Sequence, residues 1–144
     1  MIEITPAGLR DLPAVWALER ACFGHDAWGL PDIFFSLIAP VVRLKATRGD
    51  RLVGFVMGDP RVRHGFSWIA TIGVHPDFRR QGIAARLLAE AEAALPTPRL
   101  KLTVRQSNLG AIALYEKLGY QRVALWEHYY SGGETGIVME KQRS

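Results

Sequence analysis

The sequence is poor in cysteine, in long apolar runs and in clustered metal-ligand residues. It holds a single cysteine, Cys22, which excludes an internal disulfide and suits a reducing compartment; a cytoplasmic location is expected. Its longest nearly apolar run, Phe34 to Val42, is interrupted by Ser36 and Pro40. That is far short of the roughly 20 apolar residues a membrane helix needs, so no membrane partner is expected. The start, Met1-Ile2-Glu3-Ile4, lacks the basic-then-apolar pattern of a secretory leader. The four histidines are scattered and form no cluster with Cys22, so no metal site is expected. The spacing of a nucleophilic triad is missing as well. With no repeat, low-complexity tract or linker, the 144 residues are expected to form one domain over 1–144.

What is present is a steady alternation of strand and helix signals. Ile2 to Thr5 reads as a short strand, broken by Pro6-Ala7-Gly8. Leu9 to Phe23 reads as an amphipathic helix with Leu12, Val15, Trp16 and Cys22 near one face. Pro31 to Ala39 reads as a second helix with proline at its start. Val41–Thr47 and Arg51–Gly58 form a hairpin about Gly49-Asp50, and a basic loop is expected over Pro60–Gly65. Phe66–Val74 is an apolar run rich in strand formers, as a buried strand requires. Gln81–Leu95 is a helix whose stripe is Ile83, Leu87, Ala91 and Leu95, ended by Pro96 and Pro98. Arg99–Arg105 alternates strictly, with Leu100, Leu102 and Val104 on one face. Asn108–Leu118 is a helix with Asn108 as a cap and Gly119 as a stop. Tyr120–Trp126 and Thr135–Glu140 are strands, joined through a turn at Ser131-Gly132-Gly133. Helices between strands in the middle and hairpins at the edges imply an α/β fold with a mixed sheet.

Charge is unevenly placed. From Arg43 to Arg105 there are twelve basic and five acidic residues, while the rest of the chain is acidic by three. A basic middle calls for an anionic partner, either nucleic acid or a phosphate-bearing small molecule. No basic stripe interleaved with aromatics is visible, so nucleic acid is not the expected partner. Within the basic middle, Arg79-Arg80-Gln81-Gly82-Ile83-Ala84 lies between the buried strand and a helix. A helix start presents unpaired N–H groups and partial positive charge, which makes it an anion site. Gly82 and Ala84 lack bulk, so a diphosphate can approach the backbone, and Arg79 and Arg80 add charge. The segment matches neither Gly-x-Gly-x-x-Gly nor a loop ending Gly-Lys-Ser/Thr, which disfavours NAD and ATP.

Ile72 to Ala84, with its Arg79-x-x-Gly82-x-Ala84 core, resembles the acetyl-CoA motif of the GNAT N-acetyltransferase superfamily. A second block, Val104-Arg105-Gln106-Ser107-Asn108 followed by Ala111, Leu114-Tyr115-Glu116 and Gly119-Tyr120, stands in the family's order and spacing. The resemblance extends over nearly the whole chain. Within the superfamily the sequence looks most like the alanine N-acetyltransferases of ribosomal proteins. Cys22-Phe23, Ala27-Trp28, His128-Tyr129-Tyr130, Gly133-Glu134 and Val138-Met139 carry that likeness.

The resemblance implies a GNAT fold: a mixed central sheet with a splayed pair of central strands, flanked by about four helices. It implies acetyl-CoA as acetyl donor, lying in the gap between those strands. Main-chain groups of Ile72, Gly73 and Val74 would pair with the acetyl and pantetheine part. Arg79, Arg80, Gln81, Gly82, Ile83 and Ala84 would hold the diphosphate, Asn108 would meet the pantetheine arm, and Tyr115 would protonate the departing thiolate. Trp28, Tyr129 and Tyr130 would line the acceptor groove. The sequence departs from the branch at Thr103, where the branch usually carries a glutamate that serves as general base through water. Threonine does not titrate, and His64, His75, Glu127, His128 and Glu134 are substitute bases among which sequence does not choose. The implied activity is acetyl transfer to a primary amine by direct attack in a ternary complex, foremost a protein N-terminal α-amine. The rival readings are a small-molecule amine acetyltransferase and a non-catalytic acyl-CoA sensor, the latter favoured by Thr103 and opposed by Tyr115.

Overall fold

The computed structural model describes residues 1–143; Ser144, the last residue of the expected domain, lies outside them. Seven strands form one sheet: β1 (Ile2–Pro6), β2 (Val42–Arg48), β3 (Arg51–Arg61), β4 (Phe66–Val74), β5 (Arg99–Arg105), β6 (Gln121–Trp126) and β7 (Gly136–Gln142). Their order across the sheet is β1-β2-β3-β4-β5-β7-β6. Only β4 and β5 run parallel; the other neighbours are antiparallel. Four α-helices flank the sheet: α1 (Leu12–Phe23), α2 (Leu30–Ile38), α3 (Ile83–Ala94) and α4 (Leu109–Lys117). Among the described residues no helix is long and apolar enough to cross a membrane.

The predicted periodicities become the two faces of the sheet. Ile83, Leu87, Ala91 and Leu95 are all buried, and with Ile112 and Tyr115 of α4 they cover Val56, Ile69, Leu100, Leu102 and Met139. On the opposite face α1 and α2 bury Val15, Leu18, Ile33 and Leu37 over Phe55 and Met57. Leu87 is wholly buried, and a Cβ on Gly54 of β3 would stand 2.9 Å from its Cδ1, so helix and sheet approach closely there. Replacing Leu87 with alanine is expected to lower stability by about 2–5 kcal/mol. The midpoint of denaturant unfolding measures it, and an unchanged midpoint would contradict this packing.

Several boundaries differ from the sequence reading for local reasons. The expected helix from Leu9 splits into a 3-10 turn, Leu9–Asp11, and then α1, because Pro13 has no N–H for a helical bond back to Leu9. The basic loop expected from Pro60 instead continues β3 to Arg61. β2 begins only opposite Gly58, at Val42, so Pro60 sits where β3 has a single neighbour and the missing N–H is tolerated. α3 begins at Ile83 and not Gln81, because Arg80 and Gly82 hold positive φ angles of 64° and 76°. Its C-terminal end is satisfied from far away: the Arg143 guanidinium donates to the carbonyls of Glu92, Leu95 and Thr97. The remaining strand and helix ends agree with the expected ones to within two residues, and β4 and β5 have the expected bounds.

One irregularity shapes the centre. The register of β3 against β4 slips between Met57 and Gly58, which leaves Ala70 of β4 without a partner. On the other edge, β4 pairs with β5 only from Phe66↔Arg99 to Trp68↔Lys101. From Ile69 to Val74 the two strands part, so the splayed central pair is present as expected.

Candidate functional site

A cleft of about 780 Å³ opens where β4 and β5 separate. Its walls are the free edge of β4, the Phe78–Ala85 turn, α4, the C-terminal half of α1, and the two connections carrying Trp28 and Tyr130. This size is that of a small-molecule site.

The turn before α3 leaves backbone amides without partners among the described residues. Arg80, a non-glycine residue at φ 64°, and Gly82, at φ 76°, both hold left-handed backbone there, after an extended Arg79 and directly before the first residue of α3. The first bond back from α3 runs from the Arg86 N–H to the Gly82 carbonyl at 3.1 Å. The N–H groups of Ile83, Ala84 and Ala85 therefore have no upstream partner among the described residues. Arg79 reaches back, its Nε donating to the Val74 carbonyl at 3.0 Å, and the Cys22 thiol donates to the same carbonyl at 3.4 Å. That carbonyl is thus taken within the protein, and the rest of the β4 edge facing the cleft is unpaired by β5.

α4 supplies the inner wall. Asn108 caps it, its side chain accepting from the Ala111 N–H at 3.2 Å while also lining the cleft. Tyr115 is 8% exposed and packs edge-on against Tyr120 at 6.0 Å. Its hydroxyl has no hydrogen-bond partner among the described residues and opens into the cleft. Burial pushes its pKa up to about 12, so it keeps its proton across the physiological range. Tyr120 beside it is a core residue whose hydroxyl donates to Glu92 at 2.9 Å.

At the end of the cleft bordered by Trp28 and Tyr130, three connections are tied together. Arg105 of β5 donates from Nε to Asp26 at 2.6 Å and from Nη1 to Glu134 at 2.6 Å, and Glu134 also accepts from the Ser107 N–H at 2.7 Å. Ser107 first and Arg105 second hold the Glu134 carboxyl below its ordinary value. The Arg105 guanidinium lies 4.7 Å from the Tyr130 ring centre. The α1–α2 and β6–β7 connections are thereby fixed on either side of the opening.

Most of the expected site residues meet here. Ile72, Gly73, Val74, Arg79, Arg80, Gly82, Ile83, Ala84, Asn108, Tyr115, Trp28 and Tyr130 all line the cleft. Gln81 is exposed and does not line it, and Tyr129 is 52% exposed, packed on Trp126 and Tyr130 instead. None of the five substitute bases lines it. His75 caps a short turn by accepting from the Asp77 N–H at 3.1 Å, Glu134 is engaged as above, and Glu127 and His128 are exposed. Two carboxylates that sequence reading passed over do line it, Asp26 and Glu19. Glu19 lies four residues after Val15 and three before Cys22, a carboxylate on the apolar face of α1; that spacing was the available signal.

The model of the acetyltransferase (GNAT) family matches residues 13–120. The chain is 34% identical over 145 residues to the [ribosomal protein bS18]-alanine N-acetyltransferase of Salmonella typhimurium, covering 96% of each. It is 37% identical over 121 residues to the N-terminal acetyltransferase B complex catalytic subunit of Arabidopsis thaliana, covering 79% of this chain and 64% of that one. The crystal structure of the ribosomal-protein-S18-alanine N-acetyltransferase from Escherichia coli superposes with a TM-score of 0.88 at 28% identity, covering 100% of this chain and 95% of the other. The chain belongs to the acetyltransferase (GNAT) family. It is an N-acetyltransferase that takes its acetyl group from acetyl-CoA and passes it to a primary amine. The unpaired amides before α3, the flanking arginines and the open β4 edge fit that donor.

Proposed function

We propose that the acceptor is the α-amine of a protein N-terminus. The observation that carries this reading is the shape of the acceptor end. The cleft opens between two connections fixed by Arg105, with Trp28 on one and Tyr130 on the other. Such rings give apolar contact with a polar tip, which suits the first residues of an extended chain. The named activities of the Salmonella and Arabidopsis relatives support it. Energetics favour it too: neutralising a lysine amine at pH 7 costs about 4.6 kcal/mol, an α-amine about 1.4 kcal/mol. A site with threonine at position 103 is better matched to the second.

In this reading the amides of Ile83, Ala84 and Ala85, with Gly82, Arg79 and Arg80, bind the diphosphate. Main-chain groups of Ile72 to Val74 and the Asn108 side chain orient the pantetheine arm. The donor supplies an activated acyl group with a thiolate leaving group. Tyr115 gives its hydroxyl proton to that sulfur. Trp28 and Tyr130 seat the acceptor, with Tyr129 buttressing Tyr130 from outside.

The test is acetylation of a library of peptides with free N-termini, read by mass spectrometry beside a panel of small amines. Acetyl transfer to peptide α-amines is expected, with lysine side chains spared. Transfer to small amines and to no peptide would overturn the reading.

A further inference from the structure

α1 runs alongside the part of β4 that has lost its β5 partner. Cys22 faces Gly73, where a Cβ would stand 3.1 Å from its Sγ, and one turn earlier Glu19 faces Thr71, the residue after the bulge. Glu19 is 4% exposed. Its Oε2 accepts from the Thr71 hydroxyl at 2.8 Å and its Oε1 from the Trp28 N–H at 3.2 Å. The carboxylate therefore lies between the reacting edge of β4 and the residue that borders the acceptor opening. Both of its partners are neutral donors, and no cation pairs with it among the described residues.

The other titratable groups facing this part of the cleft serve poorly as proton acceptors. On its own helix, the Cys22 thiol is held up by burial and donates to Val74. Asp26, on the α1–α2 connection, is bound by Arg105 of β5. Arg79 and Arg80, on the turn after β4, are cations. Tyr115 of α4 and Tyr130 of the β6–β7 connection are both pushed up by burial and hold their protons. Thr103 does not titrate. We propose that Glu19 is the group that removes the proton from the acceptor ammonium, with Thr71 and the Trp28 amide holding its carboxylate toward the amine. Burial raises the Glu19 carboxyl above its ordinary value, while Thr71 and Trp28 oppose the rise; the net shift brings it nearer the amine it must deprotonate.

The protons balance. Glu19 takes one from the ammonium and passes it to water. As the amine nitrogen bonds to the acyl carbon and the carbon–sulfur bond breaks, the sulfur takes the Tyr115 proton and the second amine proton restores the tyrosine.

This inference rests on the α-amine acceptor proposed above, and its test separates the two. Wild type and Glu19→Gln are assayed on an alanine-starting peptide and on alaninamide, with kcat followed from pH 6 to 8. Glutamine keeps an oxygen for the Trp28 N–H and an amide for Thr71, so a merely structural role predicts wild-type behaviour. The expected result is a loss of about 100-fold in kcat at pH 7 with an unchanged KM for acetyl-CoA. The wild-type kcat is flat over this range, and that of the variant climbs about tenfold from pH 6 to 7 and about fivefold from pH 7 to 8, following the free-amine fraction. Wild-type kcat and a flat profile in Glu19→Gln would overturn the role of Glu19 alone. Turnover of alaninamide without the peptide would overturn the protein acceptor and leave Glu19 in place. Turnover of neither by the wild type would overturn both.

Discussion

Replacing Tyr115 by phenylalanine should lower kcat by about one to three orders of magnitude while leaving the affinity for acetyl-CoA unchanged. The ring keeps its packing against Tyr120 and the α4 face, so the fold is undisturbed. The hydroxyl it loses has no protein partner among the described residues, so no buried group is left unsatisfied by the change. What disappears is a proton donor facing the cleft. Because burial places the tyrosine at about 12, its loss of a proton cannot produce an alkaline decline in rate below pH 10. The measurement is steady-state kinetics with release of the CoA thiol as signal, across pH 6 to 10. Unchanged kcat in the variant would make Tyr115 a packing residue only, and a wild-type rate already falling at pH 9 would contradict its buried state.

The second large effect is expected at Gly82. A Cβ added there meets no protein atom within 4 Å, so substitution does not disturb packing. Its cost comes from two other sources. The φ of 76° is left-handed, which a β-branched side chain adopts only under strain of about 1–3 kcal/mol. The side chain also fills the space over which the Ile83–Ala85 amides reach an anion. Gly82→Val should therefore raise the Kd for acetyl-CoA by about 10- to 100-fold, equivalent to about 1.4 to 2.8 kcal/mol. Gly82→Ala, with the strain but little bulk, should fall between. Isothermal titration decides it, and wild-type affinity in the valine variant would remove the turn from the donor site.

What could be read from the sequence was whatever depends on near neighbours. The α3 stripe, the alternation of β5, the Asn108 cap and the basic turn with Gly82 are set by residues a few positions apart, and all stand in the structure. The splay of β4 from β5 was legible through family likeness alone, since no periodicity announces a bulge at Ala70. Long-range partners were not legible. Arg143 closing the end of α3 and Arg105 tying Asp26 to Glu134 join residues dozens of positions apart, and their chemistry looks like ordinary surface charge until the chain folds. Glu19 is intermediate. Its place on an apolar helix face was visible, but its distance from Thr71 was not. His64, His75 and His128 stand out in the sequence by residue type alone; each sits at a turn and none of the three lines the cleft.

The central claim is that the bare amides between Arg80 and Ala85 hold the diphosphate of the acetyl donor. A crystal structure of the CoA complex tests it most directly. It should show diphosphate oxygens within about 3 Å of the Ile83, Ala84 and Ala85 nitrogens, with the pantetheine arm along the open edge of β4. A diphosphate bound elsewhere, with those amides facing only water, would contradict it.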